Sequence, residues 1–190
     1  EQTMEDHILI RGITNGNETS FATLYSKYVD VLFSYGVGLG YEREIIKDAI
    51  QDVFLKLLNH KFAGSEISNL KFYLFRSLKN RLIDLHKNRI INDELDNCEF
   101  DFSIKVSVLD DIIEAENKKI LEQRINKLLD SLTSRQREAI VLRYVHELGY
   151  DEIASLLDMT PKASRKLISR AMDRMRNQEL LLFLILFCKF

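Results

Sequence analysis

The stretch YDEIASLLDMTPKASRKLIS, residues 150–169, decides how this chain is read. Ile153, Leu157 and Met159 are spaced to supply core contacts, and Ala154 is the small residue that lets two helices cross closely. A three-residue turn centred on Asp158 separates those helices. Thr160-Pro161 then opens the second one. Threonine is a good N-cap, and proline at the first helical position lacks an N–H that would have no partner there anyway. The layout is that of a helix-turn-helix, and its second helix carries Lys162, Arg165, Lys166, Arg170, Arg174 and Arg176. In such a motif this helix enters the major groove, where Arg and Lys near its start pair with guanine acceptors and those further along reach phosphates. A helical hairpin with a basic, solvated face is the competing reading of the same residues.

The rest of the chain fits helices. Of its 190 residues 46% are hydrophobic and 29% charged, with one proline and seven glycines. That length and composition suit one ordinary globular domain or two small ones and exclude disordered and low-complexity classes. So few turn residues also argue against a β-sandwich. The net charge of −2 speaks against a nucleic-acid partner, but its distribution reverses that inference. Residues 71–89 hold 6 basic groups against 1 acidic, and residues 159–178 hold the same. Residues 90–117 hold 1 basic against 9 acidic. Two basic blocks, each on a helix with an apolar face, are a nucleic-acid signal.

Periodicity places the remaining elements. Phe21, Leu24, Tyr25, Tyr28, Leu32 and Phe33 follow one helical face. Ile45/Ile46, Ala49/Ile50, Val53/Phe54 and Leu57/Leu58 recur every four residues and leave a charged face opposite. After a loop with Gly64, Ser65 and Ser68, a helix over 70–87 turns Phe72, Tyr73, Phe75, Leu78, Leu82, Ile83 and Leu85 inward. Thr133 and Gln136 are spaced as a capping box. The expected architecture is all-α, with two small helical domains joined by an acidic linker. The domains are 4–89 and 117–178, the linker is 90–116, and a hydrophobic tail occupies 179–190. The second domain has four helices, over about 118–130, 134–146, 150–157 and 161–177, and contains the helix-turn-helix.

Other function classes find little support. His7, His60, His86 and His146 have no metal-ligand spacing, and no glycine-rich phosphate loop or nucleophile elbow occurs, so no catalytic residue, metal or cofactor is expected. Cys98 and Cys188 lack paired spacing, which favours a reducing cytoplasm. The apolar run 180–188 has nine residues, whereas a membrane-spanning helix needs ~20. Apolar all round, it is expected to pack on its own domains, with burial against a protein partner as the alternative.

From Leu132, LTSRQREAIVLRYVHELGYDEIASLLDMTPKASRKLISRAMDRMR resembles the promoter-binding domain of extracytoplasmic-function sigma factors. The matching pieces are L-x-x-R-Q-R-E, L-R-Y, Y-x-E-I-A and I-S-R-A. This half alone also resembles LuxR-type regulators. FATLYSKYVDVLFSYG, KDAIQDVFLKLL and FYLFRSLKNRLIDLHKNR, in that order, are similar to the core-binding and promoter-melting domain of the sigma factors and discriminate between the two.

The resemblance implies a bacterial RNA polymerase sigma factor that is cytoplasmic, monomeric when free and not an enzyme. Its partners would be core RNA polymerase, promoter DNA and an anti-sigma factor, which many family members meet as a membrane-anchored protein. Asp48, Gln51, Asp52, Phe54 and Lys56 would dock on polymerase. Lys61, Lys71, Arg76, Lys79, Asn80 and Lys87 would meet the −10 element, with the loop 61–70 capturing a flipped base. Thr160, Lys162, Arg165, Lys166, Ser169, Arg170 and Arg174 would meet the −35 element. Ala163, Ser164 and Leu167 depart from the usual family residues, so Ser164 is expected to weaken a core contact. The acidic linker would either thread polymerase channels that otherwise hold nucleic acid or act as a solvated tether.

Overall fold

A computed structural model describes residues 2–59, 67, 69–90, 102–103 and 115–178. Every regular element among the described residues is helical, and the chain divides into two units, Glu1–Phe100 and Asp101–Phe190. Lys61, most of the expected linker and the tail at 179–190 lie outside the described residues.

The first unit contains α1 (Gln2–Thr14), α2 (Glu18–Gly38), α3 (Arg43–Asn59) and α4 (Leu70–Ile90). Periodicity reasoning begins at Phe21 and misses α1, because polar contacts hold much of that helix in place. The Asp6 carboxylate is 6% exposed and accepts hydrogen bonds from the Tyr28 hydroxyl at 2.6 Å and Lys27 Nζ at 2.8 Å. Burial, reinforced by that carboxylate, pushes the Tyr28 hydroxyl far above its ordinary pKa. For Lys27, burial opposes the charge, but the hydrogen bonds and negative charges of Asp6 and Glu5 outweigh it and the pKa rises. A Cβ on Gly12 would fall 2.1 Å from Ser20 Oγ, so only glycine lets α1 approach α2 at that point. Asn17 caps α2 by accepting from the N–H groups of Thr19 and Ser20.

Leu24, Tyr28, Leu32 and Tyr35 of α2 meet Ile46, Ile50, Val53 and Leu57 of α3 and Leu70, Leu74, Leu78 and Leu82 of α4 in a buried core. Gly36 permits the α2–α3 crossing, since a Cβ there would lie 2.8 Å from Ile46. The α3 stripe follows the sequence reading except at its end, where Leu58 is exposed. On α4 the reading needs correction. The buried residues are Phe75, as expected, and the row Leu70, Leu74, Leu78 and Leu82, repeating every fourth residue, whereas Phe72, Tyr73, Ile83 and Leu85 are half-buried.

The second unit contains α5 (Ala115–Asp130), α6 (Ser134–Ile140), α7 (Tyr150–Leu156) and α8 (Pro161–Gln178). The capping box is present: Gln136 N–H donates to Thr133 Oγ1, and Thr133 N–H donates to Gln136 Oε1. The helix expected over 134–146 is not continuous α-helix, for Val141–Val145 forms a π-helical turn that ends with His146 N–H on Val141 O. A 3.6-residue period cannot reveal that extra residue.

Residue 102 also departs from expectation. Phe102, read as part of the linker, is 1% exposed within the second unit. Its N–H donates to Ser134 Oγ at 2.6 Å, and its carbonyl accepts from Arg137 Nη1. The buried Arg137 guanidinium also donates to the carbonyls of Leu129 and Leu132, satisfying the C-terminal end of α5.

Candidate nucleic-acid interface

The helix-turn-helix comprises α7, a turn at 157–159 and α8. Asp158 has φ +48°, a left-handed conformation that aspartate tolerates better than most residues. It lets Met159 N–H return to Ala154 O at 2.9 Å and so closes the turn. Ile153, Ala154 and Leu157 are buried as their spacing predicts, while Met159 is half-buried. One contribution comes from outside the motif: Arg135 of α6 donates from Nη2 to Leu157 O at 2.7 Å. Arg135 was not singled out in the sequence, where it reads as one more basic residue beside a capping box.

Thr160 caps α8 by accepting from Ala163 N–H at 3.2 Å, and Pro161 takes the first helical position. Ser164, Ile168, Ala171 and Met175 form the inward row. Lys162, Arg165, Lys166, Ser169, Arg170 and Arg174 are all exposed, and their three- and four-residue spacing places them along one face. Ser164 is 0% exposed, and its hydroxyl has no hydrogen-bond partner. The helix is nonetheless seated through Ile168, Ala171 and Met175.

Arg165 is 62% exposed and held by weak contacts. Its guanidinium lies 3.9 Å from Asp151 Oδ1 and 5.7 Å from the Tyr150 ring centroid. Arg143 packs over the same ring at 4.7 Å and donates to Leu148 O. These contacts favour an outward, pre-set guanidinium without burying it.

In the first unit, Arg76, Lys79, Asn80 and Lys87 share the α4 face away from the leucine row. Lys71 does not join them: five residues before Arg76, it lies about 140° round the helix. Arg76 stacks on the half-buried Phe72 at 5.9 Å. On α3, Asp48, Gln51 and Lys56 are exposed. Asp52 is engaged by Arg81, and Phe54 is a core residue, 2% exposed between Phe21 and Tyr25. Leu55, which the sequence reading passed over, lies among Asp48, Gln51 and Asp52 with 45% of its surface exposed. Its misfit with the four-residue apolar repeat was the available signal.

Among the described residues no cluster of three or more His, Cys, Asp and Glu could hold a metal, and no helix is long and apolar enough to cross a membrane. Residues 122–175 match the family "Sigma-70, region 4". The chain is 23% identical to the ECF RNA polymerase sigma factor SigM of Bacillus subtilis, over 80% of this chain and 91% of SigM. It is 26% identical to the ECF RNA polymerase sigma-E factor of Escherichia coli, over 93% of this chain and 95% of that protein. In fold it is similar to CnrH, solved in complex with the cytosolic domain of CnrY (TM-score 0.56, 21% identity, 92% of this chain and 96% of CnrH). It is also similar to the sigma factor RpoE of Bartonella quintana, solved with the anti-sigma factor NepR (TM-score 0.54, 21% identity, 85% and 97% of the two chains). Region 4 is thus laid over the helix-turn-helix, and along most of its length the chain is similar to extracytoplasmic-function sigma factors of RNA polymerase.

Proposed function

We propose that this protein directs core RNA polymerase to promoters in the cytoplasm, reading a −35 element with α8 and a −10 element with the first unit. The outward row Lys162, Arg165, Lys166, Ser169, Arg170 and Arg174, inside the stretch that matches region 4, carries the reading. Residues near the start of the row reach base edges, and Arg170 and Arg174 reach the backbone. On α4, Arg76, Lys79, Asn80 and Lys87 offer a basic face to the melted strand, with Lys71 of the first turn and Lys61, which precedes the helix in sequence, as further cationic contacts. Asp48, Gln51 and Lys56, with Leu55 among them, form the polymerase-docking face. The protein performs no reaction of its own, because polymerase supplies the catalysis.

Control by an anti-sigma factor is part of the same proposal. CnrH and RpoE, which share the fold, were each solved with a partner of their own, and RpoE's is named an anti-sigma factor. Purified protein mixed with bacterial core polymerase should bind it and start transcripts at defined promoters. Failure to bind core polymerase overturns the reading.

A further inference from the structure

Tyr150, the first residue of α7, lies against two guanidinium groups from different elements. Arg143, from the π-helical turn, sits 4.7 Å from the ring centroid and is itself tied to Leu148 O through Nη1 at 2.9 Å. Arg165, from α8, sits 5.7 Å from the same centroid. The ring is half-buried, whereas the Arg165 side chain is 62% exposed. A seated ring thus meets a guanidinium that solvent still reaches. The neighbouring Asp151 offers Arg165 a second contact, with Oδ1 3.9 Å from Nη2.

The two contacts use different parts of the guanidinium. An aromatic ring attracts its flat face, while its N–H donors point outward in the plane and stay available. A carboxylate takes those donors, and they are the groups that guanine O6 and N7 require. Without a hold, an arginine on an exposed helical face spreads over many rotamers, and meeting a base then costs that freedom. The ring therefore prepares Arg165 for a base. Asp151, 76% exposed and at the outer limit of an ion pair, competes with the base for the same donors.

We propose that Tyr150 is a positioning residue for base recognition. Its ring, set by Arg143, holds the Arg165 guanidinium by the face, so discrimination by α8 depends on a side chain of the preceding helix. The recognition consequence rests on the promoter-binding reading above, whereas the hold on Arg165 stands on the ring contact itself.

Tyr150→Leu, Tyr150→Phe and Asp151→Asn separate the ring, its hydroxyl and the carboxylate. In the free full-length protein, NMR relaxation at Nε reports the order of the Arg165 side chain. Tyr150→Leu should lower that order, and Tyr150→Phe, which keeps the ring, should leave it at the wild-type level. Unchanged order in Tyr150→Leu overturns the hold.

With core polymerase added, discrimination is the ratio of binding to a promoter and to one altered at the base pair where Arg165→Ala relaxes preference. Tyr150→Leu should reduce that ratio about two- to fivefold, the worth of an exposed cation–π contact. Tyr150→Phe should keep the ratio, and Asp151→Asn should not lower it. In an Arg165→Ala background, Tyr150→Leu should have no further effect on it. A variant that is merely less folded binds both promoters less and leaves the ratio alone. An unchanged ratio in Tyr150→Leu therefore overturns the recognition role, as does an equal fall in the Arg165→Ala background. Absence of any base pair that responds to Arg165→Ala overturns it too. Wild-type protein that binds no core polymerase instead overturns the sigma-factor reading, and the relaxation measurement still decides the hold on Arg165.

Discussion

Arg81 of α4 donates from Nε and Nη2 to one carboxylate oxygen of Asp52 in α3, each at 2.7 Å. Both side chains are about a third exposed, so solvent screens the pair and its worth is about 0.5–1 kcal/mol. A double-mutant cycle with Asp52→Ala and Arg81→Ala should return coupling of that size in urea denaturation. Asp48→Ala, whose side chain is exposed, should leave stability unchanged and lower polymerase affinity. A larger affinity loss from Asp52→Ala at unchanged stability would contradict this division of roles.

Ser164 buries a hydroxyl that has no partner, and deleting it removes a desolvation cost. Ser164→Ala should therefore stabilise the C-terminal unit by about 1 kcal/mol, read as a higher Tm by calorimetry. Alanine also suits a helix interior better than serine. A lower Tm would mean that packing against Oγ outweighs the missing hydrogen bond.

Arg165 and Arg174 share the outward face of α8 but should fail differently. Arg165→Ala should cost about 1–3 kcal/mol at one promoter base pair and relax the preference there. Arg174→Ala should weaken all sequences alike and reduce the salt dependence of binding. Titrations across a set of single-base promoter variants at two salt concentrations check both. Equal discrimination by wild type and Arg165→Ala would remove Arg165 from base reading.

The Asp6–Lys27–Tyr28 clasp makes the stability of the first unit sensitive to alkali. Lys27 and Tyr28 both have raised pKa values in the folded protein, so the folded state holds its protons more tightly than the unfolded chain. Their contribution is complete below about pH 10, near their unfolded values, and is lost as pH rises toward the folded ones. Tyr28→Phe should cost about 1.5–3 kcal/mol near neutral pH, since it removes a hydrogen bond to a buried carboxylate. The same variant should lose less stability than wild type between pH 9 and pH 11. Urea midpoints across that range test the sign.

What the sequence disclosed depended on how each feature is made. The helix-turn-helix was legible because its turn, cap and basic row each rest on neighbours in sequence: Asp158 at the turn, Thr160-Pro161 at the start, and Lys162 to Arg174 at helical spacing. The α3 stripe was legible for the same reason. Helix α1 was not, since its clasp joins Asp6 to Tyr28 across 22 positions and helical periodicity carries no signal for a polar contact. Leu74 was misjudged because aromatic residues beside it drew the inward face toward themselves, while the crossing with α2 and α3 selected the leucine row. Phe54 shows periodicity and resemblance pulling apart: the four-residue stripe buries it, in agreement with Phe21 and Tyr25 around its ring, and the resemblance alone set it beside the docking residues.

The bond from Arg135 to Leu157 bears on what can be cut out of this protein. Residues 150–169 hold the complete helix-turn-helix by pattern, but the carbonyl at its bend is satisfied by a guanidinium fifteen positions upstream of that stretch. A graft of those twenty residues onto another scaffold would carry the reading head and leave its brace behind. To be portable, a cassette must start before the capping box at Thr133, so that α6 travels with the helices it steadies.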